Sequence, residues 1–235
     1  MENIKFLKSS VIEKGDLFIG DMLYIDSDNL NGCLAFLIEN NIKNVVLNSY
    51  HNYHLKDLSF LKEFGKYITG ITIASPIDDI SELKNNLHLE TLFIYHNINQ
   101  ELDLSSFPNL KHGCFILKDN LKNLDKCYQL EHLTIANYPQ KDITYHKKST
   151  QLKYLNLTHS KKIECIEGIE FLTELSKIEL LYLSKLYNVS KMYVLKKLSY
   201  LFIIKCKKIH KKEIDNFIHL PFFAFNGKRY SPPLP

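Results

Sequence analysis

Residues 152–175 read LKYLNLTHSKKIECIEGIEFLTEL. Within them Leu152, Leu155 and Leu157 are spaced by a three-residue step and then a two-residue step, and a polar turn follows. The apolar-x-x-apolar-x-apolar trio returns at Leu175-Ile178-Leu180 and Leu198-Leu201-Ile203, and again at Leu220-Phe223-Phe225. Upstream it occurs at Leu130-Leu133-Ile135, Leu89-Leu92-Ile94, Ile68-Ile71-Ile73 and Ile42-Val45-Leu47. A degenerate copy, Leu110-Gly113-Phe115, fills the one gap. Successive first positions are 26, 21, 21, 20, 22, 23, 23 and 22 residues apart. A fixed period of this size is the signature of a solenoid, in which each unit buries its apolar face only against its neighbours.

The trio alternates as a half-buried strand does, so its three apolar residues point inward. A second apolar set closes each unit. Examples are Ile80 and Leu83, Ile163 to Leu172, and Val189, Met192 and Leu195. Gaps of three or four there predict a short helix or 3₁₀ turn on the outer side. The expected fold is an α/β solenoid with parallel strands on a concave face and short helices or 3₁₀ segments on the convex side. The 26-residue first step leaves room for a longer loop around 51–57, and Gly113 should leave a gap or a local kink.

Residues 1–41 do not carry the period. Segment 15–25 reads as one or two short strands and 31–41 as a short amphipathic helix, together an N-terminal cap. About eight repeats over 42–219 follow, and 220–235 form a capping strand with an Asn226-Gly227 turn signal and an irregular Pro-rich tail. One continuous domain is expected.

The run 152–175 resembles a leucine-rich repeat of the short, roughly 22-residue type found in internalin-like bacterial proteins and protein-phosphatase regulators. LFIIKCKKI (201–209) is similar to the variant with cysteine at the asparagine position, here Cys206. Asn97 holds that position in one unit. Tyr50, Pro76, Lys118, Tyr138, Ser160 and Leu183 hold it in others, so the asparagine ladder is mostly missing. What the resemblance implies is a protein-binding scaffold, with the ligand unspecified because fold does not fix function.

Composition narrows the function classes. A hydrophobic fraction of 45% is enough to fill a core. No window approaches the roughly 18 apolar residues of a membrane span, and the charged start MENIKFLKSSVIEKGD does not read as an export leader. The 5 cysteines form no CxxC pair, so reduced thiols in a cytoplasmic protein are expected rather than zinc or disulfides. Lysine supplies nearly all the basic charge, with Arg229 the one arginine. This fits the codon bias of an AT-rich bacterial genome. Residues 1–140 carry 12 Lys against 18 Asp and Glu, and 141–212 carry 16 Lys against 6. An acidic N-terminal part and a basic C-terminal part follow, and such a field steers charged partners.

Residues between the trio positions face away from the core and line up in columns. The first column runs Asn44, Gly70, Thr91, His112, His132, Tyr154, Lys177, Tyr200 and Phe222. The second holds Phe93, Cys114, Asn156, Glu179 and Phe202, and the third holds Tyr95. Phe93, Tyr95, His112, His132, Tyr154, Tyr200 and Phe202 are the candidate partner-binding stripe, since aromatics dominate interface hot spots. His112, His132 and Cys114 lack a carboxylate to complete a metal site, so no metal and no cofactor is expected. Asp78-Asp79 reads as a cap for the turn that follows. No P-loop, GxGxxG, GxSxG or HExxH pattern occurs, so an enzyme is not expected. A basic ridge at Lys161, Lys162, Lys207 and Lys208 offers the alternative of nucleic-acid or acidic-protein binding. The leading expectation is a monomeric, non-catalytic scaffold that binds another protein on its concave face. Its most specific form is an immunity protein that neutralises a cognate bacterial toxin.

Overall fold

Alternating apolar positions make each trio a short parallel strand. The computed structural model describes residues 6–7 (backbone only), 20–96, 98–116 and 120–230. The strand reading of 15–25 lies partly outside them, and Asn97, Lys118 and the proline-rich end 231–235 lie wholly outside. Two compact units are distinguished, residues 1–114 with 120–122, and residues 115–119 with 123–235.

In the first unit β1 (Phe6–Leu7) pairs antiparallel with β2 (Met22–Tyr24). Helix α1 (Leu30–Glu39) buries Cys33, Leu34 and Leu37, at the spacing of one helical face. Parallel pairing then runs from β2 to β3 (Asn44–Leu47), then across α2 (Leu61–Phe64) to β4 (Gly70–Ile73) and β5 (Thr91–Ile94). On the outer side β6 (Leu102–Asp103) pairs with β8 (Leu121–Lys122). Between them in sequence lies β7 (His112–Ile116). β7 runs through Gly113 as a continuous strand.

The second unit stacks β9 (His132–Ala136), β10 (Tyr154–Thr158), β11 (Lys177–Leu181) and β12 (Tyr200–Ile204) in parallel. Helix α3 (Lys211–Ile214) leads to β13 (Phe222–Phe225), the next parallel strand. Register has no offset: Leu133, Leu155, Ile178, Leu201 and Phe223 are successive partners. Leu155, Leu157, Ile178, Leu180, Leu201 and Ile203 are at most 2% exposed, each contributing about 2 kcal/mol through burial. The tail is more ordered at its start than the sequence suggests. Asn226 (φ 49°) and Gly227 (φ 87°) turn the chain into β14 (Lys228–Arg229), which pairs antiparallel with β13. Two consecutive positive φ angles are what a tight hairpin demands.

Where each strand ends, one residue turns left-handed. Asn137, His159, Tyr182 and Lys205 have φ of 60°, 52°, 57° and 57°. The turn aims each N–H at the next repeat. Asn137 donates to the Thr158 carbonyl, His159 to Leu181 and Tyr182 to Ile204, at 2.9–3.1 Å. Lys205 reaches the equivalent residue after β13, Asn226, but there the side-chain oxygen accepts its N–H, at 2.7 Å. The next position is the asparagine site of the repeat. There the buried Ser160 hydroxyl accepts the Tyr138 N–H at 2.8 Å and donates to the Thr158 carbonyl at 3.1 Å. The buried Cys206 thiol lies 3.5 Å from the carbonyls of Leu180 and Ile204. Serine and cysteine thus stand in for asparagine.

The outer turns are mostly 3₁₀, and they start alike. The side chains of Asp57, Asp79, Asp103, Asp142 and Asn188 each accept the N–H two residues on, from Ser59, Ser81, Ser105, Thr144 and Ser190, at 2.8–2.9 Å. Asp-x-Ser/Thr competes well for backbone donors at such starts. These bonds hold the Asp57 and Asp79 carboxyls below the usual carboxylate range. The same positions bridge neighbouring repeats, Asp57 to Asp79 and Cys165 to Asn188. Gly168 (φ 99°) is required here, because a Cβ would stand 2.5 Å from the Thr144 Cα.

Two measurements test this scheme. Ser160→Ala leaves the buried Tyr138 N–H without its acceptor and should cost about 1–3 kcal/mol in urea unfolding. Lys205→Gly should instead stabilise by about 0.5–1 kcal/mol, by removing left-handed strain at an exposed site.

A third concerns His146, which is 3% exposed in its 3₁₀ turn between the rings of Tyr138 and Tyr145. Burial pushes its pKa down to about 4, against a smaller upward pull from Asp125. The unfolded chain therefore takes up this proton at higher pH than the folded one. Its contribution is complete above pH ~6.5 and is lost as pH falls towards about 4. His146→Phe should flatten the pH dependence of stability across that window.

Candidate functional site

The outward columns of the second unit come together as the register requires. Tyr154, Lys177, Tyr200 and Phe222 are successive partners in the first column, and Asn156, Glu179, Phe202 and Ala224 in the second. The first column forms a ladder of rings and cations. The His132 and Tyr154 rings lie 5.8 Å apart. The Lys177 ammonium sits 5.1 Å from the Tyr154 ring centre and 4.7 Å from that of Tyr200. Tyr200 stacks on Phe222 at 4.3 Å with an interplanar angle of 5°. Arg229, brought round by the Asn226-Gly227 turn, lies 5.2 Å from the Phe222 ring. A cation sandwiched by two rings is attracted to both, each contact being worth about 0.5–2 kcal/mol.

Beneath this ladder lies a polar knot. Glu179 Oε2 accepts from the Tyr154 hydroxyl at 3.0 Å and from Asn156 Nδ2 at 2.8 Å, while Oε1 is 3.5 Å from the Lys177 ammonium. Asn156 Nδ2 also reaches the Tyr154 hydroxyl at 3.2 Å. Burial, outweighing the hydrogen bond from Asn156, raises the Tyr154 phenol well above its ordinary range. The Lys177 and Glu179 side chains are only 19% and 16% exposed. Glu179 is therefore committed to internal partners and is not a free acid or base. At the edge of the same face the Thr158 hydroxyl lies 2.8 Å from His159 Nδ1. The hydrogen bonds and ring contacts fix these side chains in place.

Of the seven stripe residues, His132, Tyr154, Tyr200 and Phe202 are half-buried on this face. In the first unit His112 is also half-buried, with Nδ1 3.0 Å from the Thr91 hydroxyl. Tyr95 is 49% exposed, and its hydroxyl is pushed up to about 12 by burial and then by the Cys114 thiol. Phe93 is only 8% exposed, its ring 6.4 Å from that of Tyr95, so it supports Tyr95 more than it offers surface. Lys177 and Glu179 stood in the outward columns but carried no aromatic signal. Their part follows from the register, which places a cation between two tyrosines. No group of three metal-ligating side chains occurs among the described residues.

Lys161, Lys162, Lys207 and Lys208 are exposed in the turns after β10 and β12, and none makes an ion pair among the described residues. In the intervening repeat Lys185 is 3.9 Å from Glu164. Lys191 and Lys197 are likewise matched, to Glu170 and Glu174.

No family model and no curated protein sequence matches this chain. Solved structures do. Internalin F of Listeria monocytogenes superposes with a TM-score of 0.62 at 16% identity, over 87% of this chain and 57% of its own. Internalin C2 of the same organism gives a TM-score of 0.59 at 21% identity, over 77% and 80%. The fold is a leucine-rich-repeat solenoid. The chain spans little more than half the length of internalin F, and at these identities the likeness is one of fold. No helix among the described residues is long and apolar enough to cross a membrane.

The leucine-rich-repeat face predicts its own dependence on Glu179. Glu179→Ala strands a half-buried ammonium, a phenol and an amide, and should cost about 2 kcal/mol in urea unfolding. Lys177→Met, which keeps the stem between the two rings, should cost less than half as much.

Proposed function

We propose that this protein is a non-catalytic binding module that recognises another protein through the strand face of its second unit. The observation that supports the reading most is the Lys177 ammonium held between Tyr154 and Tyr200, with Tyr200 stacked flat on Phe222. Ordered rings lose little side-chain freedom on binding, and this is one of the larger costs of association. Phe202, in the neighbouring column, supplies apolar area next to charged and hydroxyl groups, a composition typical of interface centres. Recognition is stoichiometric, and the protein is taken to act as a monomer. Five free cysteines, three of them buried, suit a reducing compartment, in keeping with a cytoplasmic protein. The most specific form of the proposal is an immunity protein that occludes a toxin, by analogy of fold and size alone.

The second reading, binding of nucleic acid or an acidic protein along the lysine ridge, draws support from Lys161, Lys162, Lys207 and Lys208 lacking carboxylate partners among the described residues.

A photo-crosslinking residue placed at Phe202 should capture one partner protein, and the same residue at Tyr193, on the outer side, should not. With that partner purified, Phe202→Ala should weaken binding about 30-fold, the scale of a hot-spot residue. Capture at Tyr193 alone would sink the strand-face assignment. A steep salt dependence, abolished by Lys207→Gln with Lys208→Gln, would favour the ridge.

A further inference from the structure

The outer side of the second unit holds a cavity of about 840 Å³, a volume ordinary for a small-molecule site. Its walls come from the loop after β9, from Asp125 of the preceding turn and from Lys162 of the following one. Four lysines line it: Lys141, Lys147, Lys148 and Lys162. None of the four has a carboxylate within ion-pair distance among the described residues, although neighbouring repeats match Lys153, Lys185, Lys191 and Lys197 to glutamates. The two acids in the lining are otherwise engaged. Asp142 Oδ1 accepts from both the N–H and the hydroxyl of Thr144, at 2.9 and 2.6 Å. Asp125 is hydrogen-bonded to the Tyr145 hydroxyl.

Next to this loop, outside the cavity lining, lies a buried polar cluster. The buried Tyr138 hydroxyl, both ring nitrogens of His146 and Oδ1 of Asp125 have no hydrogen-bond partner among the described residues. Tyr138 is 3% exposed, yet its phenol is close enough to Asp142, Tyr145 and Asp125 for their charges to raise it further above the level set by burial. Neither Tyr138 nor His146 lines the cavity, so the case for a ligand there rests on the cavity and its four lysines. Uncompensated ammonium groups match the oxygens of phosphoryl groups, for which lysine serves as a point charge.

We propose that this cavity binds a small phosphorylated anion, held by Lys141, Lys147, Lys148 and Lys162 on the side of the molecule away from the strand face. The site is independent of the protein-binding reading.

The test uses inorganic pyrophosphate and ADP as probes, by calorimetry and by thermal unfolding of the full chain at constant ionic strength. Saturable binding is expected. Joint Lys147→Gln, Lys148→Gln and Lys162→Gln substitution should weaken it about tenfold or more, as the loss of several charge contacts predicts. These side chains are exposed, so the unliganded variant should unfold at the same temperature as the parent. Lys207→Gln with Lys208→Gln should leave binding unchanged. Tighter ADP than pyrophosphate binding would make the ligand a nucleotide, and equal binding a simple oligophosphate. Four results would overturn the proposal: no saturable binding, equal loss in the Lys207/Lys208 variant, equal affinity for citrate, or tighter binding of a single-stranded oligonucleotide that the triple variant retains.

Discussion

When Leu155 pairs with Ile178, and Ile178 with Leu201, the backbone ladder brings equivalent positions of successive repeats to about 4.8 Å. A slip of one residue would turn every leucine of a trio outward and every tyrosine inward. Zero-offset register therefore does two things at once. It closes the core, and it places Tyr154, Lys177, Tyr200 and Phe222 in one line. The left-handed residues after each strand extend the same ladder by one more bond, His159 to Leu181 and Tyr182 to Ile204. Those bulky residues accept strain of about 1–2 kcal/mol each because the geometry serves the neighbouring repeat. At the end of the array Asn226 supplies from its side chain what the equivalent Thr158, Leu181 and Ile204 supply from their carbonyls.

The inner architecture was legible from period alone. Trio positions predict strands because their alternation is two, and the columns follow because parallel register carries equivalent residues to equivalent places. Chemistry within the columns was less so. Phe93 looks outward by position but is covered, because an aromatic ring on a sheet face folds over its neighbours. Lys177 and Glu179 read as ordinary surface charges until the register shows a ring above and below the ammonium and three donors around the carboxylate. The outer turns carried a legible sign that apolar counting passes over. Asp57-Leu-Ser, Asp79-Ile-Ser, Asp103-Leu-Ser, Asp142-Ile-Thr and Asn188-Val-Ser share one pattern. It marks the start of each turn by hydrogen bonding, which is invisible to hydrophobic periodicity.

The missing asparagine ladder shows how a degenerate repeat keeps its fold. What the turn needs is an acceptor for the preceding repeat's N–H and a donor to a local carbonyl. Ser160 provides both in less volume, and Cys206 provides a weak donor with an apolar body. Tyr138 and Leu183 provide neither, and they are buried at the same position as apolar filler. The backbone bonds of the left-handed residues carry those repeats instead. Substitution at the ladder is tolerated because the ladder is one of two parallel sets of inter-repeat bonds.

The filler has a consequence at Tyr138. A phenol in a slot shaped for asparagine reaches beyond the turn, and its hydroxyl arrives near His146 and Asp125 with no hydrogen-bond partner among the described residues. Leaving such groups dry costs about 1–3 kcal/mol apiece. The loop from Pro139 to Lys148 encloses this cluster and lines the cavity with three of its lysines, and Lys162 of the next repeat adds a fourth. Elsewhere in the second unit, Lys153, Lys185, Lys191 and Lys197 are matched by glutamates one repeat away. The four lysines of the lining have no such match among the described residues. Their charge faces the cavity, while Tyr138 and His146 are buried outside its lining. An anion in the cavity would compensate that charge, which a water molecule would not.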